Sequence, residues 1–243
     1  MKITLHFLFA FLFLFVFLDP SHGEKDERPN IIVFLVDDYD KPETSPYGGK
    51  VLTPNLDRLA KEGMICHNAH VTSTVCTPSR YTFLTGRYAS SSHSNTFLDE
   101  CPKGTQALPA FNVGLESDRM NVGQVLADAG YATGFVGKYH VHDTDHSKEG
   151  SLSGDLDVPK NAKYSDQLNK RKFKLEKLQR ELIKKNGFTW AKNIYWGNLK
   201  QPFKGHNPDW TAKAALEFIQ EHKDQPFYLH CCSCLLYTSP SPR

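Results

Sequence analysis

The run Ile31-Ile32-Val33-Phe34-Leu35-Val36 constrains the fold more than any other stretch of the chain. It lacks the alternation of a half-exposed strand, so both of its faces are expected to be buried, as in a parallel sheet. Parallel strands need crossover connections, and the sequence offers helices for them. Asn121–Ala129, Tyr164–Lys185 and Asp209–His222 read as amphipathic helices, while Tyr131–Val136 and Gln225–His230 read as further strands. The first run stops abruptly at Asp37-Asp38. In open α/β sheets the ligand crevice lies beyond the carboxyl ends of the strands. Two adjacent carboxylates there suit a hard cation that collects oxygen ligands.

A second stretch, Cys76-Thr77-Pro78-Ser79-Arg80 followed by Leu84-Thr85-Gly86, carries the chemistry. Pro78 has no N–H to donate and a φ suited to the first turn of a helix. Cys76 is thereby expected just ahead of a helix N-terminus, where unpaired N–H groups and the positive dipole end favour an anion. Arg80, about one turn on, adds a permanent cation. A nucleophile beside an anion cradle suits transfer of a sulfuryl or phosphoryl group, although a structural thiol or a disulfide partner also suits a lone cysteine. Between the two stretches, Thr53–Gly63 reads as a short helix with Leu56, Leu59 and Ala60 as its buried stripe. Met64–Val71 reads as a strand leading to Cys76, and its His67 and His70 are given no role. Further on, Gly137-Lys138-Tyr139-His140 follows the strand at Tyr131–Val136. On an extended backbone Lys138 and His140 share a face, which puts an ammonium and an imidazole at the same sheet edge.

Taken together, these motifs resemble the sulfatase signature, with every defining position of Cys-x-Pro-Ser-Arg and Leu-Thr-Gly matched. The Asp37-Asp38 pair, the Thr53–Ala60 helix, the Gly-Lys-Tyr-His element and the strand at Gln225–His230 are similar to elements of the same family. The resemblance implies an α/β fold of the alkaline-phosphatase type, a sandwich with a mainly parallel sheet covered by helices on both faces. It implies that Cys76 is converted to Cα-formylglycine by the formylglycine-generating machinery during secretion. It further implies that Asp37, Asp38 and the converted Cys76 ligate Ca²⁺, that Lys138 contacts the sulfate, that Arg80 and Lys138 offset the accumulating negative charge, and that His140 bonds the formylglycine hydrate and acts as a base. The reaction implied is hydrolysis of a sulfate ester on a small molecule or glycan. Two other readings stay open: a phosphonate or phosphodiester hydrolase of the same superfamily, and a secreted sulfoglycan-binding protein without catalysis.

The rest of the chain sets its context. Met1–Gly23, with Lys2 ahead of an apolar run and small residues at its end, reads as a signal peptide. Its apolar run is shorter than the roughly 20 residues that span a bilayer, so a secreted or lysosomal protein without a membrane anchor is expected. A net charge of +2 argues neither for nor against a polyanionic partner, and no nucleic-acid partner is expected. Helix Tyr164–Lys185 is strongly basic, which invites a sulfated-glycan reading beside that of a solvated face. Six cysteines are too few and too uneven for a disulfide framework, though Cys66 and Cys101 could pair. Trp190, Tyr195 and Trp196 either cover the sheet or line a substrate approach. The resemblance spans Arg28–His230, so residues 24–233 read as the N-terminal part of a sulfatase domain. Cys234–Arg243 reads as a non-native tail. The family's second catalytic histidine, second lysine and remaining calcium ligands have no counterpart here, and the chain as it stands is expected to be inactive.

Overall fold

The structure is a computed structural model that describes residues 27–141, 163–197 and 207–234. The expected signal peptide and residues 235–243 of the expected tail lie outside the described residues. Four parallel strands form one sheet in the order β1-β4-β2-β3: β1 (Ile31–Asp37), β2 (Ala132–Lys138), β3 (Trp190–Tyr195) and β4 (Phe227–Cys234). The helices are α1 (Pro54–Glu62), α2 (Cys76–Thr85), α3 (Asn95–Glu100), α4 (Val122–Asp128), α5 (Asp166–Lys185) and α6 (Asn207–His222).

Alternation along the two central strands divides the core into two layers. Phe135 of β2 and Tyr228 and Cys232 of β4 face a cluster with Tyr81 and Leu84 of α2 and Ile183 of α5. Val136, Leu229 and Cys231 face the other way, against Ala214 and Phe218 of α6. Helices therefore cover both faces of a parallel sheet, as expected. The strands approach closely at Gly137, which has φ +91°, and a Cβ there would meet the Cys232 carbonyl oxygen at 1.9 Å. Only glycine fits that position.

Several expectations are corrected. β1 lies at the edge of the sheet, and Ile32 and Phe34 are 52% and 61% exposed, because no described element extends over that side of it. Met64–Val71 forms no strand: Met64 and Val71 are exposed, and the segment has no strand to pair with among the described residues. In α1 no residue is buried, and Leu59 stands in solvent. Thr53 does not cap it with its side chain; its hydroxyl is 2.7 Å from that of Ser45. Cys66 is exposed and Cys101 is buried, and both are free thiols. In contrast, Asn121 caps α4 as its position predicts, accepting from the N–H groups of Gly123 and Gln124.

Candidate active site

The carboxyl ends of β1 and β2 and the start of α2 converge at one edge of the sheet. Asp37 is the last residue of β1 and is buried. Arg80, in the second turn of α2, donates from one guanidinium nitrogen to Asp37 Oδ1 at 3.1 Å. Its other terminal nitrogen donates to the backbone carbonyl of Lys138, the last residue of β2, at 2.9 Å. The Lys138 ammonium donates to Asp37 Oδ2. One carboxylate thus holds two cations. Burial alone would raise the Asp37 pKa, but the Lys138 hydrogen bond and the charges of Arg80 and Lys138 outweigh it and hold the carboxyl below its ordinary range. Burial likewise works against the Arg80 charge, and neighbouring Cys232 and Asp37 more than offset it, so the guanidinium pKa is raised.

Cys76 is the first residue of α2, one position further into the helix than the sequence predicts, because Val75 takes the cap position and accepts from the Ser79 N–H at 3.2 Å. Its Sγ lies 3.2 Å from Nδ1 of His140. The imidazole is itself held between rings, with Trp196 edge-on at 4.3 Å and Phe111 at 5.5 Å. Lys138 and His140 do not share an extended face. His140 has φ 54°, a left-handed conformation that turns it out of line with β2 and toward α2. Asp38 has φ 55° and is exposed, unlike the buried Asp37 before it. Left-handed non-glycine residues are uncommon and collect at functional sites.

His230, which the sequence reading leaves without a role, is a core residue. It is fully buried, stacked on Phe135 at 4.9 Å, with Tyr228 Oη 2.8 Å from its Nδ1. Burial and then the Arg80 charge push its pKa down to about 3, which keeps it neutral. Beside Arg80 lies the equally buried Cys232, whose thiol burial raises in pKa.

The oxygen donors at this edge suit Ca²⁺ in kind but not in number. A calcium ion takes roughly six to eight oxygens. Among the described residues no group of three or more His, Cys, Asp or Glu side chains is gathered for a metal. Asp37 and Asp38 would hold such an ion only with ligands from elsewhere in the protein.

Comparison with known proteins gives one consistent family. The Sulfatase family model matches residues 29–233. Human steryl-sulfatase is 38% identical over 154 residues, 60% of this chain and 24% of the human one. An N-acetylgalactosamine-6-O-sulfatase of Bacteroides thetaiotaomicron is 37% identical over 122 residues, 50% of this chain and 22% of that protein. Among solved structures, a protein of glycosaminoglycan metabolism in Bacteroides thetaiotaomicron matches with a TM-score of 0.56 at 22% identity, over 89% of this chain and 52% of that one. A sulfatase of Pseudoalteromonas sp. matches with a TM-score of 0.53 at 21% identity, over 90% of this chain and 46% of that one. These likenesses show an alkaline-phosphatase-like α/β fold. The chain spans less than a quarter of the length of these two curated relatives.

Proposed function

Because this chain belongs to the sulfatase family, we propose that the whole protein hydrolyses a sulfate ester, with Cys76 as the precursor of its nucleophile. The observation that carries this reading is the 3.2 Å contact between Cys76 Sγ and His140 Nδ1 beside the Asp37–Arg80–Lys138 cluster. Converted to formylglycine, Cys76 would supply a hydrated aldehyde oxygen as the nucleophile toward sulfur. His140 stands where it can hold or accept a proton on that side chain. Arg80 and Lys138 would offset the negative charge that builds up as a sulfuryl group is transferred, with Asp37 keeping both cations in place. Among the described residues, Arg80 Nε and the Thr77 hydroxyl are buried without a hydrogen-bond partner, and an oxyanion at the start of α2 would supply acceptors there.

A calcium ion held by Asp37, Asp38 and ligands outside the described residues would polarise a sulfate oxygen. The substrate class is a sulfated glycan or small molecule, as in the relatives named for steryl and N-acetylgalactosamine sulfates. Passage through the secretory pathway, to secretion or the lysosome, accompanies this reading, in which Cys76 is converted during secretion. Turnover of an aryl sulfate by the full-length protein, lost in Cys76→Ala, is the expected result. Preference for an aryl phosphodiester would favour the phosphodiesterase reading instead.

A further inference from the structure

Cys76 and Arg80 ride on α2, whereas His140 sits on the turn after β2, and one buried residue is tied to both. Tyr81 follows Arg80 on α2, and its hydroxyl donates to the two carboxylate oxygens of Glu116 at 3.0 and 3.1 Å. Glu116 Oε1 also accepts from the Ser92 hydroxyl at 2.9 Å and from the His93 N–H at 2.8 Å. Arg119 lies 3.7 Å from the same oxygen and donates to the Tyr81 hydroxyl at 3.3 Å. On the other side, Leu115, the residue before Glu116, donates its N–H to the carbonyl of Val141 at 2.7 Å. Val141 is the residue after His140.

We infer that Glu116 is a positioning residue, setting the distance between the Cys76–Arg80 helix and the His140 turn. The inference rests on the reading of Cys76 and His140 as the reacting pair. Glu116 is 6% exposed, and a buried carboxylate is costly unless its oxygens are satisfied. Here several donors from three segments converge on it. An apolar side chain would fill the space but would leave the Tyr81 and Ser92 hydroxyls and the His93 N–H without that acceptor. Burial, and then the Glu116 charge, raise the Tyr81 pKa, so the phenol keeps its proton and remains a donor. Displacement of a reacting group by about 1 Å can cost about 10²-fold in rate.

The test uses the full-length protein with three variants. Tyr81→Phe keeps the packed ring and removes one tie. Glu116→Ala removes the hub, and Glu116→Gln retains an acceptor oxygen. The expected result is a kcat lowered about tenfold or more in Tyr81→Phe and Glu116→Ala, with KM within about twofold and most of the rate restored in Glu116→Gln. Hydrogen exchange should quicken at the Leu115 amide and in α2 of Glu116→Ala, and this readout holds whatever ester the enzyme cleaves. If Glu116→Ala fails to fold, Tyr81→Phe decides on its own. Unchanged kcat in Tyr81→Phe, or exchange that quickens uniformly over the domain, would overturn the inference. Absence of sulfate turnover in the wild type would instead count against the function, leaving the exchange result to judge Glu116.

Discussion

Cys76 Sγ and His140 Nδ1 lie 3.2 Å apart although 64 residues separate them in the chain. The contact exists because His140 adopts a left-handed backbone immediately after β2 and Cys76 begins α2. On the proposed reading of Cys76 as precursor of the nucleophile, this imidazole is the candidate for proton transfer. Replacing His140 with Ala in the full-length protein should lower kcat by about 10²–10⁴-fold. Steady-state kinetics on an aryl sulfate checks this, and a kcat close to wild type would remove His140 from the mechanism.

Asp37→Asn tests the ion cluster. It would leave the Arg80 guanidinium and the Lys138 ammonium buried with no carboxylate between them. Breaking a buried pair in this way costs about 3–5 kcal/mol. Thermal melting of the full-length variant should show that loss at neutral pH. Because the Asp37 pKa is lowered on folding, its contribution is present above the unfolded value and disappears as pH falls through the folded one. The variant should therefore converge on wild type only in acid, below the ordinary Asp range. A variant as stable as wild type at pH 7 would show that the cluster contributes nothing.

His230 gives a pH signature of the same sign, in a higher window. Its pKa falls from 6.5 unfolded to about 3 folded, so protons bind the unfolded chain more tightly. Stability from the neutral ring is complete above the unfolded pKa and is lost progressively as pH drops from 6.5 toward 3. His230→Phe keeps a ring against Phe135 and should flatten this acid limb, which urea unfolding at several pH values would measure. An unchanged slope would mean that the ring is hydrated rather than sealed in the core.

Asp38 is exposed, so its replacement should spare the fold while touching any cation site at the end of β1. Asp38→Asn in the full-length protein is expected to weaken calcium binding about tenfold or more, with the melting temperature of the metal-free form unchanged. Titration calorimetry compares the two affinities. Equal affinities would take Asp38 out of the ligand shell.

How much was legible from sequence follows from the range of each signal. β1 and β4 announce themselves because Ile31–Val36 and Phe227–Leu229 are continuous apolar runs. β3 does not, since Lys192 and Asn193 interrupt it and Asn193 takes φ 55° beside the β-bulge. Met64–Val71 imitates a strand because local apolar content cannot report a missing partner. Cys76, Arg80, Asp37, Lys138 and His140 can each be named from short motifs, but their contacts span 43 to 101 residues and only folding reveals them. Glu116 was beyond reach for a related reason: it lies in an irregular segment with no periodicity, and its partners Tyr81, Ser92 and His93 are polar residues of ordinary appearance.

The central claim is that Cys76 becomes the nucleophile by oxidation. Mass spectrometry of the tryptic peptide Glu62–Arg80, taken from full-length protein expressed in a secretory host and active on an aryl sulfate, tests it most directly. The account predicts that Cys76 has lost its sulfur and gained an oxygen as an aldehyde or its hydrate, while Cys66 in the same peptide keeps its thiol. An unmodified Cys76 thiol throughout a fully active preparation would contradict it.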